Sequence, residues 1–143
     1  MRRAGILLII ALVFLCACGQ SREERLAKKI EWSESYSEGL YLAGMTGRPI
    51  MLVFGANWCA PCQDLKKHVF TNKQVAQASK QLVNIYIDID QDRGTAGIYK
   101  VRAIPAIFFL APGGEIIGGL NGERSAKNMA LQMTAISERY KRS

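Results

Sequence analysis

Two cysteines separated by two residues, in Trp58-Cys59-Ala60-Pro61-Cys62, are the side chains best suited to chemistry in this 143-residue chain. The other two of its four cysteines, Cys16 and Cys18, lie in an apolar N-terminal run. A pair at this spacing serves as a redox couple, as half of a metal site, or as a chance occurrence. A zinc site wants four ligands, and the sequence offers no second pair and one histidine, His68. His68 falls near the far end of the helix expected after Cys62 and reads as a helix-surface or interface residue. A purely structural disulfide gains little, because so short a loop barely constrains the unfolded chain. Thiol–disulfide exchange is the chemistry that remains.

Exchange requires a thiolate, so one of the two thiols must be more acidic than usual. The apolar run Ile50-Met51-Leu52-Val53-Phe54 predicts a buried strand just before the pair, and a helix should begin within it. Cys59 would then lie among the unpaired N–H groups of a helix N-terminus, which favour the charged form of a thiol. Pro61 fits the first turn, where a missing N–H costs nothing. Trp58 would shield one side of the sulfurs. In the expected reaction the Cys59 thiolate attacks a substrate disulfide, and the less exposed Cys62 resolves the mixed disulfide.

The elements that must position this pair follow from periodicity. Residues 33–46 carry Tyr36, Leu40, Tyr41 and Met45 at helical spacing, ended by Gly47 and Pro49. A helix should run from the cysteine turn to Val69 or Phe70, with Asn72 capping a further stretch to about Ser79. Residues 82–89 predict a second central strand and residues 94–100 a short helix. Residues 106–110 and 115–118 predict a hairpin across Pro112-Gly113-Gly114. An amphipathic helix over residues 125–140 closes the chain, with Met129, Met133 and Ile136 on one face. The fold class is therefore α/β: a central mixed sheet, parallel strands first and an antiparallel hairpin last, with helices on both faces.

From about Pro49 onward the sequence resembles the thioredoxins. The resemblance rests on the strand leading into Trp58-Cys59-Ala60-Pro61-Cys62, on Ile89-Asp90-Gln91-Asp92, on Gly94-Thr95-Ala96 and on Val101-Arg102-Ala103-Ile104-Pro105. It implies that Pro105 is the family's cis-proline beside the redox pair, presenting backbone with Ile104 to an extended substrate. Trp58, Ala60 and Pro61 would line the same groove, as would Gly122, in Leu120-Asn121-Gly122. The stretch from Tyr36 to Phe70 looks more like the periplasmic thioredoxin-like domain of the transmembrane disulfide reductase, and short lipoprotein relatives of that domain are the nearest overall resemblance. Thioredoxins bury an Asp and a Lys near the redox turn. By spacing these positions are Val53 and Tyr86, so no buried charge is stranded. Nothing obvious is then placed to take the Cys62 proton, and resolution should be slower than in thioredoxin, with water or another group as acceptor.

The N-terminal run suggests a location. Arg2 and Arg3 precede an uncharged stretch from Ala4 to Cys18, short for a spanning helix of about twenty residues but suited to a signal peptide. Leu15-Cys16-Ala17-Cys18 resembles the lipobox of bacterial lipoproteins, which implies lipidation at Cys18. The expected division is a signal peptide over 1–18, a tether over 19–32 and a thioredoxin-like domain over 33–143. Gly19 after Cys18 mildly favours an outer over an inner membrane. The net charge of +7 is spread along the chain without interleaved aromatics, which argues against nucleic acid.

These features predict an extracytoplasmic, lipid-anchored monomer with disulfide-bearing protein substrates and a membrane-embedded electron donor. The Cys59–Cys62 disulfide would be its redox group, with no cofactor and no metal. Ala60-Pro61 resembles the turn of reducing family members. A disulfide oxidase or isomerase would use the same cysteines, and a thioredoxin-fold metal chaperone or binding module stands as an alternative of another class.

Overall fold

A computed structural model describes residues 29–120 and 125–141. In chain order it contains β1 (Trp32–Ser33), α1 (Tyr36–Thr46), β2 (Ile50–Gly55) and α2 (Ala60–Asp64), which continues as a π-helical turn over Leu65–Val69. Next come α3 (Lys73–Ser79), β3 (Val83–Asp88), α4 (Arg93–Ile98), β4 (Ala106–Leu110), β5 (Ile116–Gly119) and α5 (Ala126–Lys141). The strands form one sheet in the order β1-β3-β2-β4-β5. β1 and β2 pair with β3 in parallel, whereas β4 pairs with both β2 and β5 antiparallel. This is the mixed sheet expected from the sequence.

β2 is buried along its whole length because it is flanked by strands on both edges and helices on both faces. Successive side chains alternate between the faces. Met51 and Val53 join Leu65, Val69 and Phe70 after the cysteines, with Met129 and Met133 of α5 covering them. Ile50, Leu52 and Phe54 join Ile85 and Ile87 on the other face, beneath Ala43 of α1. Each fully buried side chain of this size contributes about 1.5–3 kcal/mol. The strand is therefore a rigid base for the turn that leaves its C-terminal end.

α1 ends as its sequence requires. Ser35 accepts the Glu38 N–H at 3.1 Å to open the helix, and Gly47 takes a left-handed φ of +66° to close it. At the other end of the sheet the hairpin turns through Gly114, with φ +94°. Its second strand begins at Ile116 rather than Glu115, and a register shift lies between Phe109 and Leu110.

Two expectations are corrected. The tether was expected to extend to residue 32, but Ile30 is buried in the core, and Trp32 is in register with Asn84 of β3. The Trp32 ring packs edge-on against Phe70 and Tyr86, with centroids 5.1 and 5.8 Å away. The fold thus begins before Ser33. The helix after Cys62 is also not uniformly α-helical. The Phe70 N–H donates to the Leu65 carbonyl at 3.0 Å, a five-residue step, and this wider turn lets Leu65, Val69 and Phe70 all face the core. Cys18 and Gly122 lie outside the described residues.

Candidate active site

The chain leaves β2 at Gly55, turns through Ala56, Asn57 and Trp58, and enters α2 at Cys59. Cys59 is the N-cap residue in extended conformation. Its Sγ accepts the Cys62 N–H at 3.2 Å, and its carbonyl accepts the Cys62 and Gln63 N–H groups at 3.0 and 3.1 Å. The sulfur therefore sits where helix N–H donors converge, as the sequence implied. Cys59 and Cys62 are joined as a disulfide, and Pro61 occupies the first turn.

Exposure distinguishes the parts of this turn. Cys59 and Cys62 are 4% and 1% exposed, whereas Trp58 is 69% exposed and Ala60 and Pro61 are also open to solvent. The sulfurs lie against Ala56, Ile89 and Ile104. The Ile104–Pro105 peptide is cis, at the position expected from the resemblance. Pro105 shares a surface groove with Pro61, Asp64, Leu65, His68 and Val69. His68 is thus an exposed helix residue at the border of this groove, where the sequence reading had only a surface or interface position.

Three contacts that fix the turn were not foreseen, because their partners are distant in sequence or not chemically conspicuous. The Trp58 Nε1–H donates to Asp90 Oδ2 at 2.8 Å, which pins the exposed indole to the loop after β3. The Gln63 side chain donates to the carbonyls of Ala56 and Asn57 at 3.3 and 3.1 Å, clasping the turn from the helix side. The Ile89 N–H donates to the Gly55 carbonyl at 3.0 Å, so the loop carrying Asp90 is tied to the end of β2.

Beneath the pair, Val53 and Tyr86 are register partners on β2 and β3, and both face the core side that holds α2. Val53 is fully buried. The Lys66 ammonium lies 4.2 Å from the centroid of the Tyr86 ring. Farther along, Asp92 caps α4. Its two carboxylate oxygens accept the Thr95 N–H at 2.9 Å and the Thr95 hydroxyl at 2.6 Å. The side-chain bond first, and the backbone bond second, hold the Asp92 carboxyl below its ordinary pKa. On the opposite face, burial and then the hydrogen bond with the Tyr36 hydroxyl push the Tyr99 phenol far above its usual value.

A strand-to-helix turn with a helix-capping disulfide opposite a cis-proline matches a known family. The family described as thioredoxin-like matches residues 31–112. The chain belongs to the thioredoxin-like family. It is 34% identical over 68 residues to the thioredoxin of Mycoplasmoides gallisepticum, a match spanning 48% of this chain and 65% of that protein. It is 30% identical over 93 residues to the thiol:disulfide interchange protein DsbD of Ralstonia nicotianae, spanning 62% of this chain but 15% of that protein. The chain thus spans less than two thirds of either relative's length.

Two solved structures show the same fold. A thioredoxin from Thermus thermophilus has a TM-score of 0.66 at 24% identity, covering 76% of this chain and 87% of its own. A DsbH oxidoreductase has a TM-score of 0.65 at 20% identity, covering 76% and 85%. These thioredoxin-like relatives share the sheet and helix arrangement that presents Cys59 and Cys62.

Proposed function

We propose that this thioredoxin-like chain is a thiol:disulfide oxidoreductase that reduces protein disulfides outside the cytoplasm while tethered to a membrane. The observation that carries the reading is Cys59 at the head of α2, bonded to a more deeply buried Cys62 and set beside Ile104 and cis-Pro105. In the reduced state the Cys59 thiolate attacks one sulfur of a substrate disulfide, and the other substrate sulfur leaves as a thiolate. Cys62 then attacks Cys59 Sγ, the bond to the substrate breaks, and the second substrate thiolate departs. Two electrons have passed to the substrate, and the Cys59–Cys62 disulfide has re-formed. The chemistry calls for no cofactor beyond this disulfide.

Trp58, Ala60 and Pro61 on one side and Ile104, Pro105 and Gly122 on the other are the residues assigned to the substrate. The Ala60-Pro61 dipeptide favours reduction over oxidation or isomerisation. A reductase in an oxidising compartment needs electrons, which assigns it a membrane-embedded donor. The uncharged run over residues 4–18 and Leu15-Cys16-Ala17-Cys18 support export and lipidation at Cys18, with outer-membrane placement and a monomeric state as parts of the same proposal.

The test is trapping. Cys62→Ala should accumulate mixed disulfides on Cys59, visible on non-reducing gels and identifiable by mass spectrometry, while Cys59→Ala should not. If Cys59 captures no protein under reducing or oxidising conditions, the oxidoreductase reading is wrong. An unmodified mature terminus starting away from Cys18 would remove the lipid anchor alone.

A further inference from the structure

The Tyr86 hydroxyl is enclosed by protein and has no hydrogen-bond partner among the described residues. A buried phenol without a partner is costly, so its placement calls for an acceptor in some state of the molecule. Gly55 points to a candidate. A Cβ added at Gly55 would overlap the Tyr86 hydroxyl oxygen and would stand 3.4 Å from Cys62 Cβ. The missing side chain of Gly55 therefore leaves open a space that both the hydroxyl and Cys62 border. In the disulfide form the Cys62 sulfur is a weak acceptor. On reduction it becomes a thiol or thiolate, and the thiolate is a strong one.

We propose that the Tyr86 hydroxyl donates a hydrogen bond to the Cys62 sulfur in the reduced protein and so sets the acidity of the resolving thiol. The proposal rests on the reading of Cys62 as that thiol. The phenol acts as a hydrogen-bond donor only and takes no part in the proton transfer. The Cys62 proton passes to solvent, the thiolate attacks Cys59 Sγ, and the substrate sulfur leaves with the electron pair of the broken bond. The surroundings suit a donor. β2 offers the backbone of Gly55 and the apolar Val53, Trp32 packs on the ring, and the charged group set against it is Lys66, 4.2 Å from the ring centroid.

The consequence for rate is specific. A hydrogen bond to a charged sulfur is worth about one pH unit of thiol acidity. That raises the thiolate fraction about ten-fold near neutral pH, while the less basic sulfur loses about three-fold in nucleophilicity. The net gain is about three-fold below the thiol's pKa, and it disappears or reverses above it.

The experiment uses the full chain and two readouts: the pH titration of the Cys62 Cβ carbon resonance in the reduced protein, and the release of 5-thio-2-nitrobenzoate from its mixed disulfide with Cys59. Tyr86→Phe should raise the Cys62 pKa by about one unit and slow release about three-fold at pH 7, with the two rates crossing as pH rises so that the variant is the faster at high pH. An unmoved Cys62 titration overturns the proposal. Should Tyr86→Phe fail to fold, 3-fluorotyrosine at position 86 decides: a stronger donor must lower the Cys62 pKa, and no change again overturns it. Because the titration needs no turnover, it remains readable even if Cys62→Ala traps no substrate.

Discussion

Val53 and Tyr86 face each other across β2 and β3, two residue pairs before the strand ends that carry Gly55 and Asp88. Val53 lies on the same face of β2 as Gly55, two residues deeper beneath α2. A carboxylate at this position would supply a proton acceptor on the face of β2 beneath α2, where the core among the described residues holds none. Val53→Asp should therefore speed the release of 5-thio-2-nitrobenzoate from its Cys59 adduct several-fold. The same change buries an unpaired charge and should cost on the order of 3 kcal/mol in urea unfolding. Unchanged or slower release would count against proton removal from Cys62 as a rate-limiting feature.

The exposed Trp58 indole, held by Asp90 at 2.8 Å, offers a rigid apolar face beside the sulfurs. Anchors of this kind carry much of the energy of protein docking. Trp58→Ala should lower kcat/KM for a protein disulfide about ten-fold, and should lower it much less for a small aromatic disulfide that does not span the groove. Asp90→Ala leaves the indole in place but unpinned, and should give a smaller loss for the protein substrate. Equal losses for large and small substrates would point to an effect on the sulfurs themselves.

Asp92 links the loop after β3 to α4. Its carboxyl is held below the ordinary value of 3.8 by Thr95, so its charged form is favoured in the folded protein. Such a group stabilises the fold above its unfolded-state pKa, and the contribution is lost as pH falls through the lower folded-state value. Asp92→Ala should cost about 1 kcal/mol at pH 7, as expected of a lost N-cap. The gap between wild type and variant should narrow steadily below about pH 4. Asp92→Asn retains a capping oxygen and should remove most of the pH dependence while keeping much of the stability at pH 7. Thermal melting across pH 2–7 measures all three.

What could be read in the sequence was what short-range pattern encodes. The apolar run from Ile50 to Phe54 predicts a central strand because only a strand covered on both faces tolerates it, and Pro112-Gly113-Gly114 predicts the hairpin. Cys59 at the head of a helix followed from the strand before it and from Pro61. β1 was invisible because two residues are too few for any period, and its burial depends on Trp32 meeting Phe70 and Tyr86. The π-helical turn was missed because Leu65 and Val69 are spaced as in an ordinary helix, and the wider turn is apparent only in the Phe70 to Leu65 bond. The space bordered by both the Tyr86 hydroxyl and Cys62 exists because Gly55 lacks a Cβ, a relation across two strands and a helix. Pattern reports which residues are apolar or reactive, whereas these relations depend on packing between elements far apart in the chain.

Packing of that kind makes Gly39 a sensitive position. It sits in α1, directly above β3, and a Cβ there would overlap Cγ1 and Cδ1 of the fully buried Ile85. Helix propensity alone favours Gly39→Ala by about 1 kcal/mol. Overpacking against a core with no room opposes it by about 1–3 kcal/mol, because Ile85 can move only by displacing its neighbours on β2. The overlap involves two atoms of one side chain, so the steric cost should prevail and Gly39→Ala should lower the melting temperature. Adding Ile85→Val removes Cδ1, one of the two overlapping atoms. The double variant should therefore be more stable than the sum of the two single changes, a coupling that a double-mutant cycle reads directly. Since α1 covers the face opposite to Cys62 and Val53, the release of 5-thio-2-nitrobenzoate from Cys59 should be unchanged in every folded member of the cycle.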